Sequence, residues 1–370
     1  ITRAVLMYAP QEIAVYIHWP FCKSKCPYCD FYSRVSSHVP EDAIVAEYLN
    51  ALEQYHQLTA ERKVRSIFFG GGTPSLMKPQ NIERIIDFIY RKWPINSDAE
   101  ISLEANPNSY YKQMFSDLKV AGINRLSLGV QALNENDLRF LGRTHSLEQA
   151  RLCLQEVVKV FDNHSADLIY ARPKQNFRQW QNELQEICSY GLRHLSLYQL
   201  TIEKNTLFAR RHITPLDDEQ AVLMYHETVD YLRSHQYNLY EISNFAQSEY
   251  ESKHNLTYWH GEDYIGIGPT AHGRLFYNGR HLALEYPDKQ EVLSAEEKAE
   301  ELIIMGLRLS KGINFADFKQ ICGLSFFEFI NRKNFENLRK LGLITADNIN
   351  VKATLQGRVL LNQIVLELCS

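Results

Sequence analysis

The segment Ile13-Ala-Val-Tyr-Ile-His-Trp19 leads almost directly into the loop Phe21-Cys22-Lys-Ser-Lys-Cys26-Pro-Tyr-Cys29-Asp-Phe31. The first segment is rich in β-branched and aromatic residues, which predicts a β-strand. The loop that follows holds three of the seven cysteines of the chain. Thiolates are soft ligands that favour iron–sulfur clusters or zinc. A strand followed by a polar loop with clustered thiols therefore predicts a metal centre at the end of the first strand.

The number of thiols in this loop favours a cluster over a single metal ion. Three ligands, Cys22, Cys26 and Cys29, would hold a cubane 4Fe–4S cluster and leave one iron open for a small molecule. The alternative is a zinc site with His18 as the fourth ligand. His18 lies inside an apolar strand, however, and zinc ligands usually come from two separate knuckles. The four remaining cysteines are isolated and are predicted to be core or surface thiols.

Strand-like and helix-like segments alternate through the first two thirds of the chain. The predicted strands are Ile13–Trp19, Val64–Phe69, Glu100–Ala105, Arg125–Val130, Asp167–Tyr170 and His194–Leu200. The predicted helices between and after them are Asp42–Leu58, Gln80–Arg91, Tyr111–Ala121, Leu147–Phe161, Phe177–Tyr190 and Asp218–His235. Such alternation predicts an α/β fold with parallel strands and right-handed crossovers. Periodicity leaves open whether the six units form a doubly wound sheet or a partial barrel.

The pattern predicts three parts of the chain. Residues 1–245 would form the strand–helix domain. Residues 246–295 are rich in Gly, Tyr, His and Asn, and we expect an irregular segment over the mouth of the sheet. Residues 296–370 contain short helical patterns, a small hairpin and a final helix, which predicts a small α+β domain that is similar to a winged helix.

Composition excludes several classes of protein. Hydrophobic residues make up 45% and charged residues 23% of the 370 positions, as in ordinary soluble globular proteins. A net charge of −4 gives no basis for bulk nucleic-acid binding. No apolar run reaches the roughly 18 residues of a transmembrane helix, although peripheral membrane contact stays open. The first ten residues lack the pattern of a secretory leader, and the clustered free thiols favour a cytoplasmic protein.

The Cys-x3-Cys-x2-Cys spacing after a first strand resembles the radical S-adenosylmethionine (SAM) superfamily. In that superfamily the open iron binds SAM, and reduction cleaves SAM to a deoxyadenosyl radical. Further polar segments follow the predicted strands, and between residues 13 and 280 their order resembles the oxygen-independent coproporphyrinogen III oxidases (HemN) and their HemW-like relatives. The resemblance implies a radical SAM partial barrel in which SAM is contacted by Tyr16, Tyr28, Gly71, Gly72, Thr73, Glu104, Gln131, Arg143 and Asp167.

One departure from the family pattern lies beside Asp167. The family usually has Gly-Leu where this chain has Ala171-Arg172. A methyl group replaces a glycine that permits close approach or positive φ, and a charge replaces an apolar side chain. We therefore expect altered geometry next to Asp167. Whether SAM is cleaved in this protein is then open.

Two features favour the HemW branch. The oxidases carry a further cysteine two residues after the triplet, where this chain has Phe31. The run His254-Asn-Leu-Thr-Tyr258-Trp259 matches the His-Asn-x-x-Tyr-Trp motif of that branch. Neutral imidazole is a good ligand for haem iron, and aromatic rings can stack on a macrocycle. His272 is either a second candidate for the iron or a hydrogen-bonded residue.

The resemblance implies a haem chaperone that binds haem through His254, Tyr258 and Trp259 and passes it to an unidentified acceptor protein. Its cofactors would be a 4Fe–4S cluster, SAM and haem. The rival hypothesis is a radical enzyme that oxidises a porphyrinogen propionate by hydrogen abstraction. A nucleic-acid role for the winged-helix-like end is the weakest hypothesis, because basic residues there are mixed with acidic ones.

Overall fold

The computed structural model describes residues 10–370. The strands in chain order are β1 Glu12–Trp19, β2 Phe21–Cys22, β3 Arg34–Val35, β4 Lys63–Gly71, β5 Ile95–Ala105, β6 Arg125–Gln131, β7 Asn163–Tyr170, β8 His194–Gln199, β9 Asn238–Leu239, β10 Asn244–Ala246, β11 Tyr264–Ile267, β12 His272–Tyr277, β13 Arg280–Glu285, β14 Lys289–Leu293, β15 Ile313–Asn314, β16 Ile344–Ala346 and β17 Asn350–Ala353. The helices are α1 Glu41–Thr59, α2 Pro79–Lys92, α3 Met114–Val120, α4 Glu135–Phe140, α5 Leu147–Val160, α6 Phe177–Ser189, α7 Leu207–Arg210, α8 Asp218–Ser234, α9 Lys253–Trp259, α10 Ala295–Gly306, α11 Phe315–Cys322, α12 Phe326–Phe329, α13 Arg332–Lys340, α14 Leu355–Arg358 and α15 Leu361–Cys369.

Six parallel strands form the centre of the main sheet, in the order β1-β4-β5-β6-β7-β8. Each is followed along the chain by at least one helix, as the alternation predicts. Strands such as β6 are buried at nearly every position, which is typical of parallel strands covered on both faces. The strand order runs from edge to edge, so the sheet is open. The predicted α/β fold, a partial barrel of six strand–helix units, is confirmed.

The segment predicted to be irregular is instead regular, and that expectation is wrong. Residues 246–295 contain α9 and the strands β11 to β14. β11 pairs in parallel with β1, and β12 to β14 extend the same sheet as an antiparallel meander. Asn278 and Gly279 both have positive φ between β12 and β13. Asn-Gly is a strong hairpin signal, so this part of the meander was accessible from the sequence.

The C-terminal residues pack around a core of their own. Phe318, Phe326 and Phe335 are buried there with apolar side chains of α10 and α15. β15, β17 and β16 form a separate three-stranded antiparallel sheet beside the short helices. Short helices, a hairpin and a final helix are thus all present, as the winged-helix-like interpretation predicts. None of the helices between residues 10 and 370 has the length and apolar character needed to cross a bilayer.

Candidate functional site

A cavity of about 320 Å³ opens where the parallel strands end. We call it the cluster cavity. The predicted residues that line it are Cys22, Cys26, Tyr28, Cys29, Gly71, Gly72, Thr73, Glu104, Gln131, Arg143 and Asp167. Ligands of open α/β sheets bind at the carboxyl ends of the strands, which is why motifs so far apart in sequence meet here. Tyr16 is the exception: it lines neighbouring cavities but does not line this one.

Two glycines bring β4 against the cysteine loop. A Cβ at Gly71, whose φ is +103°, would lie 2.6 Å from the His18 ring. A Cβ at Gly72 would lie 2.6 Å from the Phe21 carbonyl oxygen. Glycine is therefore required here by close packing as well as by backbone conformation. The bare Gly71 N–H donates to the Glu104 carboxylate at 3.2 Å, which fixes that carboxylate at the cavity wall.

Hydrogen-bond donors approach two of the cysteine sulfurs. Arg143 Nη1 lies 3.4 Å from Cys26 Sγ, and the Thr73 hydroxyl lies 3.5 Å from Cys22 Sγ. Arg143 is held in place by donating to the Gly129 carbonyl at 2.8 Å and to the Asn106 amide oxygen. Its buried Nε has no partner among the described residues. A cationic donor set facing sulfur fits negatively charged thiolates and the sulfides of a cluster.

The same residues do not fit a zinc site that uses His18. Both ring nitrogens of His18 are engaged: Nδ1 lies 3.1 Å from the Tyr16 hydroxyl, and Nε2 lies 3.0 Å from the Tyr32 carbonyl. Within residues 10–370 no three His, Cys, Asp or Glu side chains converge on one ion position. A cubane cluster distributes its thiolates over different irons and needs no such convergence, whereas a tetrahedral zinc site does.

Two half-buried carboxyl groups, those of Glu104 and Asp167, line the cluster cavity. Burial, followed by repulsion from Asp167, raises the pKa of Glu104 to about 8. Burial also raises the pKa of Asp167, although hydrogen bonds from Ser196 and Ser127 oppose the shift. A bound cation would favour the charged forms of both groups. The part of the cavity wall that Glu104 and Asp167 form is therefore suited to a ligand that carries an ammonium or sulfonium group, as SAM does.

The departure beside Asp167 is accommodated away from the cavity. Ala171 adopts the positive φ of +56° that a glycine would permit at this position. The Arg172 side chain is 0% exposed and forms ion pairs with Asp137 and Glu183. Neither residue lines the cluster cavity, and Asp167 still does. The two substituted residues themselves therefore lie outside the cavity wall.

A second cavity, of about 440 Å³, adjoins the first. We call it the aromatic cavity. Its aromatic lining consists of Tyr16, Phe31, Tyr32, Tyr258, Trp259 and Tyr264. Phe31, Gly71 and Glu104 line both cavities and form the wall between them. Its charged lining consists of the cations Arg274 on β12 and Lys298 on α10, and of three carboxylates. These are Glu104, Glu262 and Glu301.

The helix α9 carries the predicted haem motif and is anchored at its start. The Ser252 hydroxyl caps it by accepting from the Asn255 N–H at 3.3 Å. The Glu100 carboxylate on β5 accepts from the N–H groups of Lys253 and His254. Carboxylates stabilise helix N-termini by accepting such bonds and by opposing the helix dipole. The Ser252 cap at the start of α9 is a local signal in the sequence, although the segment was predicted to be irregular.

The structure places the three motif residues differently. Tyr258 and Trp259 line the aromatic cavity, but His254 does not. His254 is 1% exposed, with Nδ1 2.9 Å from the Ser66 hydroxyl and Nε2 2.6 Å from the Tyr258 hydroxyl. It lines a third, interior cavity of about 260 Å³. In this conformation neither nitrogen of His254 is free for iron.

Several residues of the aromatic cavity were missed by sequence analysis. Tyr32, Arg274, Lys298 and Glu301 were not singled out, and His18 was considered only as a zinc ligand. Their approach depends on how β12 and α10 pack against the barrel. The only signal in the sequence was the alternation of Gly273-Arg274-Leu275 in a short strand.

Comparison with known proteins gives two family matches. Residues 16–187 match the family described as the radical SAM superfamily, and residues 293–360 match the HemN C-terminal domain. The chain is 33% identical to the "Heme chaperone HemW" of Escherichia coli, over 95% of this chain and 97% of that protein. It is also 33% identical to the protein of that name from Bacillus subtilis, with the same coverage.

A mitochondrial relative and a solved structure extend the comparison. The "Radical S-adenosyl methionine domain-containing protein 1, mitochondrial" of Bos taurus is 34% identical over 97% of this chain and 88% of its own length. The coproporphyrinogen III oxidase HemN of Escherichia coli superposes with a TM-score of 0.81 at 22% identity, over 98% of this chain and 91% of that one. At that identity the superposition supports the fold alone.

Proposed function

The chain belongs to the radical SAM superfamily, in the family of the HemW haem chaperones, and on that basis we propose that it binds haem and transfers it to an acceptor protein. The observation that carries this proposal is the aromatic cavity, which shares a wall with the cluster cavity. Its volume lies in the usual range of small-molecule sites. A flat macrocycle is the kind of ligand that its aromatic side chains would accept.

We assign the cluster cavity to a 4Fe–4S cluster and SAM. Cys22, Cys26 and Cys29 would hold the cluster, with Arg143 and Thr73 donating to the ligating sulfurs. When bound, the pair supplies one-electron reduction and a deoxyadenosyl radical. Glu104 and Asp167 would take the cationic part of SAM, and the backbone of Gly71 and Gly72 lines the same cavity.

Haem would lie in the aromatic cavity against Tyr258 and Trp259. The Arg308 guanidinium lies over the Trp259 ring, 4.4 Å from its centroid. Haem also carries two propionates that need cationic partners. Arg274 and Lys298 are the cations of this cavity, and both contact Glu301. We propose that a propionate takes the place of Glu301 as the partner of Arg274.

The acceptor protein and the cellular location belong to the same proposal. The acceptor is a protein that takes up haem, and we place the transfer in the cytoplasm, as the free thiols suggest. Relatives named as mitochondrial make an organelle the alternative location. Fractionation of the source cells, followed by immunodetection of the chain, separates the two locations.

A haem titration of the anaerobically reconstituted protein tests the proposal. We expect saturable binding near one haem per chain when the titration is monitored by absorbance. A binding curve that is weak and does not saturate contradicts the proposal. When the haem-loaded protein is mixed with an apo-haemoprotein, it should then lose its haem faster than haem dissociates from it without an acceptor.

The rival activity is tested in a parallel assay. Reconstituted protein with SAM, a reductant and coproporphyrinogen III should give no decarboxylated porphyrinogen. Phe31 stands where the oxidases are expected to carry a further cysteine, which is the residue-level reason for this expectation. Decarboxylated product above the background of a cluster-free sample would favour the oxidase hypothesis instead.

A further inference from the structure

His254 lines the interior cavity and is fixed there by its neighbours in the barrel. Its ring stacks on Phe68 at 4.9 Å between centroids, and both nitrogens have partners. Burial lowers the pKa of His254 to about 3, so the ring is neutral, with one donor and one acceptor nitrogen. Both are used, by Ser66 and by Tyr258. Iron at Nε2 would have to displace the Tyr258 hydroxyl from the interior.

His272 has the opposite environment. It is exposed, lines the aromatic cavity and begins β12. Its ring makes no hydrogen bond to any side chain or backbone group within residues 10–370. A ring with two free nitrogens in the wall of a cavity is available to a metal without any rearrangement of the barrel.

The backbone around His272 is held firmly. The Ala271 N–H donates to the Gly268 carbonyl at 3.0 Å, and the Ala271 carbonyl accepts from Tyr286 at 2.8 Å. His272 itself pairs with Glu285 on β13. A ligand residue on a supported strand end is presented at a defined position, which favours metal binding over one on a mobile loop.

We propose that His272 is the protein ligand to haem iron, with the macrocycle against Tyr258 and Trp259, and that His254 is a positioning residue that fixes the Tyr258 ring. The proposal rests on the proposed haem function. It deepens that function by moving the iron ligand from the helix α9 to the first residue of β12. Imidazole from His272 and aromatic faces from α9 then reach the same cavity from two elements.

The test compares haem spectra of reconstituted protein, wild type against His272→Ala and His254→Gln, by Soret absorbance and by electron paramagnetic resonance. His272→Ala should weaken haem binding roughly tenfold or more and abolish the signature of histidine ligation. Free imidazole should restore that signature, because it can fill the space of the lost ring. His254→Gln should lower affinity but keep the signature of histidine ligation.

His235→Ala serves as the matched control, since His235 is exposed at the end of α8 and lines neither cavity. Iron and sulfide content and circular dichroism confirm that each variant is folded. A His272→Ala spectrum identical to wild type overturns the proposal, as does loss of histidine ligation in His254→Gln alone. Failure of the wild type to bind haem contradicts the proposed function itself, so the two failures are distinguishable.

Discussion

The two adjoining cavities differ in how their side chains are supplied. The cluster cavity takes its residues from loops and ends of parallel strands, which converge because the fold directs them there. The aromatic cavity takes much of its lining from β1 and β12, which β11 joins in the sheet, and from α9 and α10, which meet the sheet through packing. Strand-end motifs can be interpreted from sequence order. Side chains on packed elements need the three-dimensional arrangement before a role can be assigned.

Because different side chains form the two cavities, we expect that cluster binding and haem binding can be abolished separately. Cys26→Ala removes one of three proposed cluster ligands and should abolish the 4Fe–4S cluster and SAM binding. Haem binding should survive, because no cysteine lines the aromatic cavity. Iron and sulfide analysis together with a haem titration checks both parts. Cys369→Ala, near the C-terminus, is the matched control, and loss of haem binding in Cys26→Ala would show that the cavities form one site.

The cluster cavity was largely predictable because its residues follow predicted strands. Gly71, Glu104 and Gln131 each lie at or near a strand end, so their meeting follows from the parallel topology. Asp167 lies in the middle of β7 and lines the same cavity. Tyr16 was assigned to SAM but lines the aromatic and interior cavities instead. Its place in the strand does not explain this, because Tyr16 is the fifth of eight residues in β1, as Asp167 is in β7.

The aromatic cavity was predictable only in part. The motif identified Tyr258 and Trp259, but the hydrogen bond from His254 to Tyr258 follows from their spacing of four residues on a helix. That helix was not predicted, so His254 was taken as a free ligand.

The ion pairs of Arg172 were not predictable from the sequence. Its partners Glu183 and Asp137 are brought together only in the packed structure.

A substitution at Arg172 tests whether the departure from the family pattern at Ala171-Arg172 affects stability rather than the cluster cavity. Arg172→Leu restores the apolar family residue but leaves Glu183 buried without its cation, which should cost about 3–5 kcal/mol of unfolding free energy. Urea unfolding measures the loss, and Arg178→Leu, exposed on the same helix as Glu183, is the control. The double variant Arg172→Leu/Glu183→Gln should recover part of the stability. Cluster content should stay unchanged in every folded variant, and its loss would connect Arg172 to the cavity after all.

The shared wall of the two cavities should make the protein without cluster and SAM sensitive to pH. The pKa of Glu104 rises from 4.5 to about 8, so between these values the native state holds a proton that the unfolded state has lost. Stability from this group is therefore present at low pH and falls as pH rises towards 8, by up to about 1.4 kcal/mol per pH unit. Glu104→Gln should flatten the pH profile of urea stability. Parallel profiles for wild type and variant would contradict this, and Glu227→Gln, exposed on α8, should change nothing.

The smallest expected effect lies in the aromatic cavity. Trp259→Ala removes an aromatic face from the proposed haem site and should weaken haem binding about tenfold. Trp259→Phe should lose less, because a ring remains to stack on the macrocycle. Cluster content should not change, since Trp259 does not line the cluster cavity. A haem titration measures the affinity, with Tyr90→Ala, half exposed on α2, as the matched aromatic control. Equal affinity in Trp259→Ala and wild type would place haem outside the aromatic cavity and remove the basis for treating the two cavities as a pair.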